Sequence, residues 1–420
     1  MMPRSCVLFF TTCLLMLLFA CRAANKPPAT PVVVGRAEGF VGATLSYSIV
    51  STDPESDSVC YRVAWGDGDT SDWSAVVLSG DSVTMTHSWT AADTYSITGQ
   101  AKDQRGHESP WSAGLALDMQ PSEYPDTVVA TIAVGAEPWG PCVTRDGQYV
   151  YVPNSGDNTV SAIRTADNAV VASFPLSGRP SYAAASPDGQ YVFVSRSYEA
   201  NVARIRIADN TVVNEIATRS DPLEMDFTPS GDYLYVGIFR ASSTKLAVIR
   251  TSDDSVVAYP EVGIDPWGLA VKPDGEFVYV ACSYGDAVTV LRTSDRTIAA
   301  SIPVGHVLNG LAMPSDGQFV YVACEEGEFV GVIRTSDNTL MASVPVQDRP
   351  AGIAILPNGK YVYVASYDSD YVSIIRTSDN TVVKQIQVGQ RPDCFAVTPD
   401  GSKVYVTVHG EDCVKVIGSR

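Results

Sequence analysis

From residue 142 onward the chain keeps returning to one pattern of apolar and polar positions. A Pro-Asp-Gly-type turn is followed by an apolar run such as "YVYV", then by a second apolar run and a polar "RTSDN" turn. The first turn falls at Asp146, Asp188, Ser230, Asp274, Asp316, Asn358 and Asp400, each followed by Gly, at spacings of 42, 42, 44, 42, 42 and 42 residues. A fixed period in this range marks a repeat architecture. Residues 181–216 break into strand candidates around "YAAAS", "QYVFVS", "NVARIRI" and "TVVNEI", with turn signals between them and no helical periodicity. In "YVYV", Tyr149 and Tyr151 fall on one face and Val150 and Val152 on the other. Both faces are apolar, so each sheet must be covered on both sides. Four-stranded sheets stacked face to face around an axis meet that demand, which predicts a β-propeller.

The turn chemistry agrees with the strands. Pro presets its own φ and Gly accepts φ > 0, so "PDG" predicts a hairpin; "SDN" uses short side chains that bond their own backbone. The last repeat ends at "VKVIGSR" without a fourth strand, while "TVVATIAVGAEP" at 127–138 matches "TVVKQIQVGQRP" at 381–392. The N-terminal strand is therefore expected to complete the last blade, which removes two open sheet edges. The fold class expected is all-β: a seven-bladed propeller closed by its N-terminal strand, with a small β-sandwich before it.

That sandwich is expected over 31–118, where short alternating strands run through "TLSYSIVSTDPESDSVCYRVAWGDGDTSDWS" and "VTMTHSWTAADTYSITGQAKDQRGHESPWS". Residues 119–125 read as a linker and 126–420 as the propeller. At the N-terminus, "MMPR" precedes the apolar "CVLFFTTCLLMLLFA", too short for a comfortable membrane span, and "LFAC" brings Cys21 after a small residue. Residues 1–20 thus predict an export signal. The "LFAC" arrangement resembles the bacterial lipobox, and that resemblance implies lipidation at Cys21 in a bacterial cell-envelope protein. The alternative is plain secretion with cleavage near Ala23 or Ala24. Residues 21–30 are small and Pro-rich, as suits a tether.

Composition narrows the function classes. A net charge of −18 repels phosphate backbones and argues against nucleic-acid binding. Beyond the signal and Cys21 remain Cys60, Cys142, Cys282, Cys324, Cys394 and Cys413. Cys282 and Cys324 share one slot in consecutive repeats, where a disulfide is out of reach; only Cys142 with Cys394 stays open as a pair, and buried free thiols are the expectation. No cofactor is implied, except that calcium is possible at Asp53, Glu55 and Asp57.

The repeated "YVYV", "PDG" and "RTSDNTVV" segments resemble the YVTN family of propellers, known from bacterial exported and archaeal surface-layer proteins. Similarly, "WGDGD" at 65–69, "HSW" at 87–89 and "DTYSITGQAKDQRG" at 93–106 resemble PKD-type, immunoglobulin-like domains. The first resemblance implies a fold and an extracytoplasmic setting rather than one reaction; the second implies a spacer or adhesive module.

Residue types present in every repeat serve the blade. Arg164, Arg250, Arg292, Arg334 and Arg376 follow the third strand, where pairing with nearby turn carboxylates is expected. The links between blades differ instead, and strand geometry aims them at the channel mouth. Trp139 and Trp267 offer apolar platforms there. Arg179, Arg349 and Arg391 offer forks for carboxylate or phosphate, and Tyr198, Tyr284 and Tyr367 sit in neighbouring turns. His306 and His409 are the only propeller histidines and make a weak metal site. The opposing reading has each Arg neutralise an adjacent Asp, as Arg349 with Asp348, and each Trp pack between blades. Glu137, Asp221, Glu224 and Asp393 are candidate acids or bases at no diagnostic spacing, and no nucleophile motif is present. The expectation is non-catalytic binding of an envelope protein or glycan at Trp139, Arg179, Trp267, His306, Arg349 and Arg391. The alternatives are a propeller lyase or lactonase at the mouth and a structural surface-layer role.

Overall fold

A computed structural model describes residues 25–239 and 244–419. The signal segment and Cys21 lie outside the described residues, as does part of the 237–246 insertion in the 44-residue repeat. Contacts divide the chain into two units, 1–120 and 121–420.

The second unit is a seven-bladed β-propeller, built from seven four-stranded antiparallel sheets. Blades 1 to 6 begin at Cys142, Pro180, Asp221, Pro266, Leu308 and Pro350; blade 7 spans Pro392–Gly418 plus Thr127–Ala133. This last strand pairs with Cys413–Gly418 in the register Cys413↔Ala133 to Gly418↔Thr127, so the closure read from the sequence holds. In each blade the chain runs from mouth to far end along the innermost strand, turns at the Pro-Asp-Gly-type hairpin, and reaches the outer edge by the fourth strand. The hairpin glycines, Gly147 to Gly401, all have φ between 64° and 77°, a region where a Cβ is costly.

The core lies between the blades rather than within one. Each blade pair has its own apolar cluster; that of blades 7 and 1 joins Ile132, Val414 and Val416 to Val150, Val152 and Ile163. Closure therefore uses the same packing as the other interfaces, such as Tyr279 and Ile302 against Leu311 and Val320 between blades 4 and 5. Polar stitches follow the repeat. The second Tyr of the apolar run donates to an Asn in the outer turn of the next blade: Tyr151 to Asn210 at 2.7 Å, Tyr279 to Asn338 at 2.8 Å, and Tyr405 of blade 7 to Asn168 of blade 1 at 2.9 Å. Blade 2 has Phe193 in the tyrosine slot, and there Arg204 pairs with Asp254 at 2.9 Å. Lost hydroxyl and altered turn residue compensate one another. The expected arginine–turn pairs are present, for example Arg164 with Asp167 at 2.7 Å and Arg376 with Asp379 at 2.6 Å. Being exposed, they organise the turns more than they stabilise the fold.

The first unit holds a three-stranded and a four-stranded sheet around Tyr47, Tyr61, Trp65 and Trp89. Its motif residues meet: His87 stacks on Trp65 at 4.8 Å and reaches Asp67 at 2.7 Å, while Trp89 donates to the Trp65 carbonyl.

Two expectations are corrected. Residues 25–30 are not a free tether, since Ala29 N–H donates to Thr52 O and Asn25 to Asp103. The segment 119–125 is not a free linker. The preceding strand runs to Gln120, and the remainder docks on blade 6: Tyr361 donates to Glu123 at 3.0 Å and Tyr363 to the Pro125 carbonyl at 2.5 Å. Cys142 and Cys394 are unbonded, like the other described cysteines, in line with the expectation of free thiols.

Candidate functional site

Where the chain passes from one blade into the next it takes a left-handed residue: Glu137, Arg179, Asp265, Val307, Arg349 and Arg391 have φ between 50° and 58°. Its recurrence makes this kink part of the scaffold. The two residues that open each innermost strand at this level are Trp139-Gly140, Ser181-Tyr182, Leu223-Glu224, Trp267-Gly268, Asn309-Gly310, Ala351-Gly352 and Asp393-Cys394. A Cβ at Gly352 would come within 1.9 Å of the Asp393 carbonyl oxygen, so glycine there lets two innermost strands approach closely.

These residues and the rim enclose a cavity of about 690 Å³, lined among others by Trp139, Tyr182, Glu224, Trp267, Asn309, Arg349, Arg391 and Asp393. Trp139 of blade 1 meets Trp267 of blade 4 at 6.2 Å, and Trp267 donates to the Tyr182 hydroxyl at 3.1 Å. Buried Leu223 and Cys394 pack against them, giving the cavity an apolar floor. A second cavity of about 650 Å³, nearer the Pro-Asp-Gly turns, shares only Ala183 and Met225 with the first.

Enclosure changes the acid–base state of this mouth. Burial, reinforced by the Asp226 and Asp393 carboxylates, raises the Glu224 carboxyl to about 8, so it carries a proton at neutral pH. Burial also raises Asp226 to about 6, against the hydrogen bonds from the Val271 and Phe227 amides. Asp393 is raised by burial and pulled back by His409, whereas burial lowers the His409 imidazole. Trp139 Nε1–H can only donate, so the 3.1 Å bond makes His409 Nδ1 the acceptor and places its proton on Nε2, 3.5 Å from an Asp393 oxygen. His409 is thus a neutral prop for Trp139.

The structure brings together only part of the expected set. Trp139, Trp267, Arg349 and Arg391 line the cavity, with Tyr284 and Tyr367. Arg179 and His306 do not: Arg179 bonds Tyr198 at 2.8 Å with Glu137 at 3.8 Å, and His306 pairs with Asp286 at 2.5 Å. Arg349 pairs with Glu325 at 2.8 Å and Asp368 at 3.2 Å, not with its neighbour Asp348. Among the described residues no carboxylate lies within ion-pair distance of Arg391, which faces the Tyr367 ring at 5.8 Å. Of the candidate acids, Glu224 and Asp393 line the cavity and Glu137 and Asp221 do not. His306 and His409 do not converge. Sequence reasoning missed Tyr182 and Asn309. The signal was the variability of two adjacent slots: Tyr182 stands where four other blades have glycine, and Asn309 where blades 1 and 4 have Trp139 and Trp267.

In the first unit, the Asp53, Glu55 and Asp57 loop serves its own turn. Asp53 Oδ1 accepts the Glu55 and Asp57 amides, and Glu55 accepts from the Lys26 amide. Among the described residues, three metal-binding groups come within reach of one another at Asp67, Asp69 and His87.

The protein is a seven-bladed β-propeller with an aromatic-floored cavity at one end of its channel. A family model described as "Lactonase, 7-bladed beta-propeller" matches residues 311–419. Among solved structures, Kuenenia stuttgartiensis hydrazine synthase is similar at 18% identity and a TM-score of 0.60, over 71% of this chain and 97% of that one. The β-propeller domain of Myceliophteria thermophila Cps50 (Swd1) is similar at 12% identity and a TM-score of 0.59, over 70% of this chain and 99% of its own. At such identities the likeness is one of fold. No curated protein matches the chain in sequence.

Proposed function

We propose that this chain is an exported, lipid-anchored envelope protein, a YVTN-type propeller behind a PKD-type module, whose mouth binds an acidic glycan. The signal architecture ending in Cys21 supports the setting, and the repeat and "WGDGD" motifs support the two modules. One observation carries the ligand class: among the described residues Arg391 has no carboxylate partner, in a cavity whose other rim arginine, Arg349, is doubly paired. An Arg fork left open recognises a carboxylate, Trp and Tyr faces suit sugar C–H surfaces, and Asn309 with the carboxylates can take hydroxyls.

Uronic-acid oligosaccharides should raise the unfolding temperature of the chain from residue 22, while neutral ones of equal length shift it less. Arg391→Asn is the variant of choice because Asn tolerates the left-handed backbone at φ 58°. It should weaken binding by about tenfold to a hundredfold, the value of a charge-assisted hydrogen bond, with unchanged unfolding of the free protein. Equal binding of acidic and neutral sugars, or of variant and parent, would reject the reading.

A second reading, a lactone-opening hydrolase or lyase at the same mouth, is favoured by the family-model match over 311–419. Glu224, protonated at neutral pH, would be its proton donor. Lactone consumption that disappears in Glu224→Gln would establish it.

A further inference from the structure

Away from the mouth, the outer turns provide an internal control, because the same slot is seen in six blades. The left-handed residue there is Asn168, Asn210, Asp254, Asn338 or Asn380, and only in blade 4 is it a cation, Arg296, at φ 59°. The change removes the acceptor for the stitch from the previous blade. Where the slot holds Asn, its oxygen accepts the tyrosine proton, as from Tyr279 to Asn338. Arg296 has no acceptor to offer the buried Tyr235 hydroxyl; the two share one cleft, with the guanidinium 5.6 Å from the Tyr233 ring. The Tyr235 proton is thereby released for another acceptor.

A second departure from the repeat lies beside it. The hairpin position that is Asp in five blades and Asn358 in blade 6 is Ser230 in blade 3. Both residues line one cleft of about 370 Å³ between blades 3 and 4, together with Thr228, Tyr235 and Ser294. The cleft also holds two carboxylates. Asp274 is neutralised by Lys272 Nζ, and Asp232 is exposed. Among the described residues no carboxylate pairs with Arg296, and its buried Nε lacks any hydrogen-bond partner. One substitution adds a cation and the other replaces the carboxylate of the hairpin slot by a hydroxyl, so both make the cleft less negative.

We propose that this cleft binds a phosphate or sulfate group, free or carried as an ester on a sugar, on the Arg296 guanidinium and the hydroxyls around it. The site is separate from the mouth and does not rest on the function proposed there.

The test is titration calorimetry of the chain from residue 22 at low ionic strength with inorganic phosphate, inorganic sulfate and a sugar monophosphate. Saturable binding is expected; tighter binding of the ester than of inorganic phosphate would identify a carried group, and the reverse a free ion. Arg296→Asn should weaken binding by about tenfold or more, and Ser230→Asp should do so by charge repulsion. Both variants install residues that the repeat already uses at those slots, so both should unfold at or above the parent temperature. Absence of saturable binding by all three probes, or parental affinity in Arg296→Asn, would overturn the proposal.

Discussion

Ile132 tests whether the closing strand is a structural member of blade 7 or an ornament on its edge. Its side chain is 6% exposed and packs in the interface cluster of blades 7 and 1. Ile216, 4% exposed, occupies the same outer-strand slot in blade 2 and packs towards blade 3. Truncating a buried Ile to Ala removes its transfer free energy and leaves a partly relaxed cavity, about 2–5 kcal/mol. The propeller unit has about 300 residues; at about 2.1 cal/mol/K per residue, 3 kcal/mol corresponds to a fall of roughly 5 °C in its transition. If the strand from Thr127 to Ala133 is paired as observed, Ile132→Ala and Ile216→Ala should lower that transition equally by calorimetry. An Ile132→Ala protein that melts like the parent while Ile216→Ala does not would refute the closure, because the strand would then contribute nothing that the ring requires.

Glu224 predicts a pH dependence. Its folded-state value of about 8 lies above the ordinary carboxyl value of 4.5, so the folded state binds the extra proton between these limits. Stability contributed by this group is full below pH 4.5 and falls as pH rises towards 8, by at most about 1.4 kcal/mol per pH unit. Glu224→Gln should therefore match the parent near pH 4.5 and exceed it at pH 8 in urea unfolding; parallel profiles would contradict the raised value. At the interface of blades 2 and 3, Arg204→Ala should cost about 2–4 kcal/mol, since it strands Asp254, whose side chain is only 10% exposed. Adding Phe193→Tyr and Asp254→Asn reinstates the stitch used elsewhere and should recover much of the loss, read from urea midpoints at constant slope.

By itself, the sequence determined the repeat, the number of blades, the hairpin turns and the strand that closes the ring. Period-two apolar patterning, turn residues and self-similarity at 42 residues are local properties, and a repeat writes each of them several times. It also determined that the turn arginines serve the turns, because their carboxylates lie three residues away, as Asp337 does from Arg334. What it left open is which variable residues meet. Trp139 and Trp267 are 128 positions apart yet their rings face one another across the channel, and Trp139 meets His409 from the far end of the chain. Only ring closure decides such neighbours, since it sets residues of blades 1, 2, 3, 4 and 7 around one axis. The same closure decided that Arg349 is paired and Arg391 open, because Glu325 and Asp368 lie in adjoining turns that the sequence spacing does not single out. The charge state of the mouth came last. Glu224 is an ordinary acid in the sequence and a protonated one in the fold, because burial among other carboxylates penalises its charge.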